Sequence, residues 1–126
     1  MSKKYLIVNA DDFGYSYSIN RGIIEAHTQG TVISTSVMVD AIAAHEAKEL
    51  ARLPNLSIGL HFELKEIKHV KVELDRQIQK FVALVGNEPD YSPFHSNPEN
   101  KPNAEAINAV PVMYQDGEAT YPLCVR

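Results

Sequence analysis

From its N-terminus the chain alternates short apolar runs with segments of helical periodicity, and this alternation constrains the fold more than any other feature. Tyr5 to Val8 is apolar and β-rich, and it stops at Asn9-Ala10-Asp11-Asp12-Phe13-Gly14. Thr31 to Val39 is a second run, rich in β-branched residues, and Ser57 to Phe62 is a third. Continuous apolar strands that end in polar loops are the pattern of strands buried on both faces. Between the first two runs, Ser18 is suited to cap a helix and Gly30 to end it, with Ile19, Ile23, Ala26 and His27 on one face. Asp40 is suited to cap a helix over Ala41 to Leu53, which Pro54 closes. Val70, Leu74, Ile78, Phe81, Val82 and Val85 recur at three- and four-residue spacing, which predicts a helix from Val70 to Val85 stopped by Gly86.

Beyond that helix, Asn87 to Asn103 carries four of the seven prolines and reads as loop, with a short strand near Tyr91. A short helix over Ala104 to Val110 and a last strand over Tyr121 to Val125 are expected. The alternation of strand and helix implies right-handed βαβ units and a mainly parallel sheet, hence an α/β fold. In such sheets functional groups gather outside the carboxyl ends of the strands.

The 126 residues suit one domain spanning 1–126. At 44% hydrophobic and 22% charged, the chain has enough apolar material for a core without disulfide staples. Its single cysteine, Cys124, forms no internal disulfide, which suits a reducing compartment. A net charge of −4 with no basic stripe argues against a nucleic-acid partner. No apolar run approaches the ~18 residues of a membrane span. The basic Met1-Ser2-Lys3-Lys4 is followed by too short an apolar stretch for a signal peptide. A cytoplasmic protein is expected.

Asp11 and Asp12 lie just past the first apolar run, and His61 lies near the end of the third. Parallel neighbouring strands bring such ends together, so two carboxylates and an imidazole converge at one mouth. Oxygen with imidazole nitrogen is a ligand set for zinc and its neighbours among the divalent ions. Adjacent aspartates on a regular strand face opposite ways, whereas in a turn one can ligate metal while the other accepts a proton. A plainer reading stands beside this one: Asp-Asp before glycine also serves as a turn or cap, and a histidine in an apolar strand also serves as packing. For His27 and His45, inside expected helices, packing or solvent exposure is the better reading, as is exposure for His69 and Arg21. Cys124 reads as buried and inert.

Four segments in order, Asn9-Ala10-Asp11-Asp12-Phe13-Gly14, Ile19-Asn20-Arg21-Gly22-Ile23, Ser34-Thr35-Ser36-Val37-Met38-Val39 and Ile58-Gly59-Leu60-His61-Phe62-Glu63-Leu64, resemble the opening half of the YdjC-like carbohydrate deacetylases. The resemblance implies a distorted (β/α) barrel, here a partial or half barrel, and metal-dependent removal of acetyl groups from N-acetylated sugars such as chito-oligosaccharides. It also implies that Asp11 is the general base and that Asp12 and His61 are metal ligands, with Mg or Zn the expected ion. His95 falls where the family places its third ligand, in an Asp-Ser-His-x-His segment. Pro93, Phe94 and Asn97 replace the other residues of that segment, and a surface-loop histidine is the alternative reading of His95. Tyr121 to Arg126 resembles the following strand, whereas 96–120 matches poorly.

Two further departures bear on function. Only Glu66 to His69 separate the Gly59-Leu60-His61 motif from the next helix, where the family carries a longer insertion that helps line the substrate cleft. A complete (β/α)₈ barrel takes ~250 residues, about twice this chain, which leaves sheet edges to cover and makes a homo-oligomer the expected state. The alternative function is a catalytically inactive remnant or subunit that keeps the fold and a capacity for metal or sugar.

Overall fold

The computed structural model describes residues 6–64 and 69–90 in full and the backbone of residues 94–95, 114–115 and 118–119. Three strands, β1 (Asn9–Phe13), β2 (Ser34–Val37) and β3 (Ser57–Leu60), form a parallel sheet in the order β1-β2-β3. Helix α1 (Tyr17–Thr28) links β1 to β2 and packs against β1. A 3₁₀ helix, Ala44–Arg52, links β2 to β3. After β3, the two-residue strand β4 (Phe62–Glu63) leads to helix α2 (Val70–Val85), which packs on the 3₁₀ helix and β3. Strand β5 (Phe94–His95) pairs in parallel with β4, and β6 (Tyr114–Gln115) pairs with β7 (Glu118–Ala119) in antiparallel fashion. The α/β class and parallel βαβ order expected from the sequence are therefore present.

The central strand β2 is buried at all four positions, yet three of them are hydroxyl residues. Each hydroxyl finds an acceptor on β1. Ser34 Oγ donates to Asn9 Oδ1 at 2.7 Å, Thr35 Oγ1 to the Ala10 carbonyl at 2.7 Å, and Ser36 Oγ to Asp11 Oδ1 at 2.5 Å. These bonds explain why the polar run Asn9–Phe13 forms the strand rather than the apolar Leu6 to Val8. Of the expected run Tyr5 to Val8, Leu6 and Ile7 are exposed, Val8 caps the pairing by accepting from Ile33 N–H, and Tyr5 lies outside the described residues.

Helix α1 starts two residues earlier than Ser18 suggests, because Ser16 Oγ accepts the Ile19 N–H at 3.2 Å. The buried face also differs from the expected one: Asn20 and Ile23 are buried, whereas Ile19 stays partly exposed. His27 packs by hydrogen bonding, its ring nitrogens 2.7 Å from the Val32 carbonyl and 2.9 Å from that of Pro54. Gly30 follows the C-cap Gln29, and a Cβ there would meet the Ala26 carbonyl oxygen at 2.6 Å, so close approach explains the glycine.

The helix expected over 41–53 is shorter and wound more tightly. Its buried residues, Ala44, Ala47 and Leu50, recur every three positions, the period of a 3₁₀ helix rather than an α-helix. Asp40 does not cap it. That carboxylate is instead engaged by Arg76 and Lys80 of α2. Helix α2 begins and ends where the periodicity places it, and Gly86 closes it in the left-handed region at φ 94°. The core joins Phe13, Val37, Leu60 and Phe62 of the strands to Leu74 and Phe81 of α2. The short strand expected near Tyr91 is found three residues later, at β5. The expected elements at 104–110 and 121–125, and Cys124, lie outside the described residues.

Candidate active site

Phe13, Val37 and Leu60 lie in one row across the sheet, at the carboxyl ends of β1, β2 and β3. Asp12 immediately precedes that row and His61 immediately follows it. The His61 N–H donates to the Val37 carbonyl at 2.9 Å, which carries the pairing one residue past β3 before the chain re-forms as β4. The apolar run 57–62 is thus interrupted at its histidine.

The two aspartates part company through a bulge. From Ala10↔Thr35 to Phe13↔Val37, three steps along β1 match two along β2, so one extra residue is accommodated at Asp11-Asp12. Asp12 takes up the difference in the left-handed region, at φ 66°. This conformation is uncommon for a residue with a side chain, aspartate being one of the few that enter it, and it concentrates at functional sites. The bulge turns the Asp12 carboxylate to His61, Oδ1 lying 3.1 Å from Nε2. The imidazole is almost wholly buried while the carboxylate is half exposed (7% and 53% side-chain exposure), so the pair has one face toward solvent. Asp11 points elsewhere: its Oδ1 accepts from Asn9 Nδ2 at 2.8 Å and from Ser36 Oγ.

The loop that follows is held from beneath. Tyr15 N–H donates to the Asp12 carbonyl at 3.1 Å, closing a turn. Within it Gly14 adopts φ 103°, and a Cβ there would meet the Met38 carbonyl oxygen at 3.0 Å and Ala44 Cα at 3.1 Å, so both conformation and space demand glycine. Asn20, fully buried on α1, accepts the Gly14 N–H at 2.6 Å and donates to the Ala43 carbonyl at 3.0 Å and to Glu46 Oε2 at 2.7 Å. One amide thereby fixes the aspartate loop, α1 and the start of the 3₁₀ helix to one another.

A similar device stands under β4. Gln77, buried on α2, accepts the Glu63 N–H at 3.2 Å and donates to the Glu63 carbonyl at 2.7 Å and to Glu73 Oε1 at 2.7 Å. At the same end of the sheet, Arg76 grips Asp40 with both terminal nitrogens and Lys80 adds a bond at 2.8 Å. The Arg76 hydrogen bonds hold the Asp40 carboxyl down to about 2, against the opposing effect of burial and with Lys80 helping.

Asp12 and His61 are therefore brought together at the strand ends, while Asp11, next in the chain, has its carboxylate turned to Asn9 and Ser36. The backbone of His95 pairs with Glu63, two residues past His61, and its side chain lies outside the described residues. Among the described residues no three His, Cys, Asp or Glu side chains are grouped to hold a metal. His45 is exposed, its ring edge-on to Tyr17 at 5.8 Å. His69 and Arg21 are exposed as expected. The supporting residues Asn9, Ser34, Ser36, Asn20 and Gln77 carried no role in the sequence reading. The available signal was hydroxyls two apart in a buried strand, matching the two-residue spacing of Asn9 and Asp11.

No helix among the described residues is long and apolar enough to cross a membrane. The YdjC-like protein family model matches residues 5–71, the segment that contains the whole β1-to-β4 mouth. A chitooligosaccharide deacetylase from Proteus mirabilis is 36% identical over 71% of this chain and 48% of its own length. A carbohydrate deacetylase from Enterococcus faecalis is 40% identical over 85% of this chain and 40% of its own. A crystal structure from Enterococcus faecalis V583, described as a candidate cellobiose-phosphate cleavage protein, superposes with a TM-score of 0.71 at 31% identity, covering 86% of this chain and 54% of that one. The chain spans about half the length of the curated relatives it matches. With the family model matched over more than half of its residues, and the aspartate pair and histidine inside the match, the chain belongs to the YdjC-like family.

Proposed function

We propose that this mouth removes the acetyl group from N-acetylated sugars, with Asp12 and His61 holding a divalent metal ion and Asp11 serving as the general base. The observation that carries the reading is the approach of Asp12 Oδ1 to His61 Nε2, 3.1 Å apart at the strand ends, with a second carboxylate next in the chain. A carboxylate oxygen and an imidazole nitrogen are suitable donors for Zn or Mg, the harder ion favouring more oxygen. His95 is the proposed third ligand, since β5 runs beside β4 immediately beyond His61. A divalent ion there supplies Lewis acidity toward the acetyl carbonyl and eases ionisation of water.

The protein's own groups account for the rest. Asp11 accepts the proton of the attacking water, its carboxylate held on the strand by Asn9 and Ser36. The buried imidazole of His61 keeps one wall of the mouth dry, and the half-exposed Asp12 leaves the other open to substrate. The relatives named chitooligosaccharide and carbohydrate deacetylases support the acetylated-sugar substrate. Self-association accompanies the reading: Leu6, 83% exposed, and Ile7 lie beside β1, which ends the sheet order. A dimer in sedimentation is the expected result.

Elemental analysis of wild type, Asp12→Asn and His61→Ala tests the site first. A near-stoichiometric divalent ion in wild type, reduced at least about 10-fold in affinity in each variant, is expected. Deacetylase activity on an N-acetylated chitooligosaccharide should fall in both, and in Asp11→Asn without loss of metal. A wild type that neither carries nor takes up metal, and releases no acetate, would leave the reading of an inactive subunit.

A further inference from the structure

The polar row beneath Asp11 has more structure than a sheet requires. Ser34, Thr35 and Ser36 occupy the centre of the sheet and are essentially inaccessible to solvent. At such positions apolar side chains are the rule, and each buried hydroxyl must find a partner to offset its desolvation. Thr35 turns to a backbone carbonyl, as an isolated threonine would. Ser34 and Ser36, two apart and so on the same face of β2, do something different. They meet Asn9 and Asp11, likewise two apart on β1, and build a chain of side-chain bonds. Ser34 Oγ donates to Asn9 Oδ1 at 2.7 Å, Asn9 Nδ2 donates to Asp11 Oδ1 at 2.8 Å, and Ser36 Oγ donates to the same Oδ1 at 2.5 Å.

The direction of the bonds is informative. Asn9 uses its carbonyl to accept from Ser34, which orients its amide nitrogen toward Asp11. Ser36 approaches that carboxylate from β2. The two donors come from different strands and arrive on one oxygen, so the position of that oxygen is fixed relative to the sheet. The bulge begins at the very next residue, where Asp12 swings to His61. Without an anchor, a carboxylate at the base of a bulge would share the looseness of the irregular backbone.

From this geometry we infer that Ser36 and Asn9 are positioning residues for Asp11, with Ser34 setting the orientation of Asn9. They act on the proton-accepting carboxylate and not on the substrate. The inference rests on Asp11 being the base of the proposed deacetylation. It differs from that reading by assigning catalytic consequence to the hydroxyl and amide groups that hold the Asp11 carboxylate. The general cost of releasing a reacting group from its supports is between about 10- and 100-fold in activity.

The test is a mutant cycle on acetate release from an N-acetylated chitooligosaccharide, with metal content and chemical denaturation measured on every variant. Ser36→Ala should lower kcat between about 10- and 100-fold with KM little changed and metal content retained. Ser36→Thr, which keeps the hydroxyl, should recover most of the loss, and Asn9→Ala should resemble Ser36→Ala. In an Asp11→Asn background, Ser36→Ala should have no further effect on kcat, because the group it positions is already gone. A loss that persists undiminished in that background, or a Ser36→Ala enzyme with wild-type kcat, would overturn the inference while leaving the deacetylase reading in place. A folded wild type that loads metal but releases no acetate would overturn both. If Ser36→Ala fails to fold, Asn9→Ala and Ser34→Ala carry the same comparison, with Ser34→Ala expected to show the smaller effect.

Discussion

Asn20 is the residue on which the aspartate loop depends most. Its side chain satisfies the Gly14 N–H and the Ala43 carbonyl inside the protein, and truncation leaves both without that partner. Asn20→Ala is expected to lower stability by about 1–3 kcal/mol, the usual cost of stranding a buried polar group, as a shift in the urea midpoint. Gly14→Ala should destabilise too, since φ 103° disfavours a Cβ and the Met38 carbonyl oxygen lies 3.0 Å from where it would stand. The approach of Asp12 to His61 was legible in the sequence because the Asp11-Asp12 pair and His61 stand at the ends of apolar or β-rich runs. Their supports were not. Asn20 occupies a helix position where pattern reading expects an apolar residue, and its importance comes from partners 6, 23 and 26 residues distant in the chain.

Among the elements, α2 was fully legible and the 3₁₀ helix only in part. The apolar period of α2 agrees with both its ends, whereas Ala44, Ala47 and Leu50 are three apart and fit a tighter winding that an alanine-rich helical segment does not reveal. Asp40 was misassigned as a cap because its true partners, Arg76 and Lys80, lie 36 and 40 residues away. That ion cluster ties α2 to the end of β2 and gives the elements a pH dependence of definite sign. Asp40 is lowered from 3.8 to about 2 in the folded protein, so its contribution is complete above the unfolded value and is lost as pH falls through the interval between them. Glu73, lowered chiefly by its hydrogen bonds to Arg76, works in the same direction. Because Arg76 and Lys80 are nearly half exposed, the effect is on the order of 1 kcal/mol. Denaturation midpoints of wild type and Asp40→Asn should therefore converge between pH 4 and pH 2 and stay apart at neutral pH.

For the molecule as a whole, helix and sheet share one core, with Phe13, Phe62 and Phe81 fully buried. Phe81→Ala removes a large side chain from that core and should cost about 3–5 kcal/mol, read as one cooperative transition by both far-ultraviolet and near-ultraviolet dichroism. The parallel order β1-β2-β3 was legible because strand and helix alternate. The exact course of β1 was not, because the strand is specified by side-chain bonds to β2 rather than by its own hydrophobicity. Gln77 adds something beyond stability. By taking both the N–H and the carbonyl of Glu63, its amide stands in for a neighbouring strand, so α2 is geared to the backbone two residues beyond His61. A helix coupled in that manner cannot roll about its axis without dragging the chain behind the histidine, and a force applied to the outer face of α2 would be delivered as a displacement at the mouth.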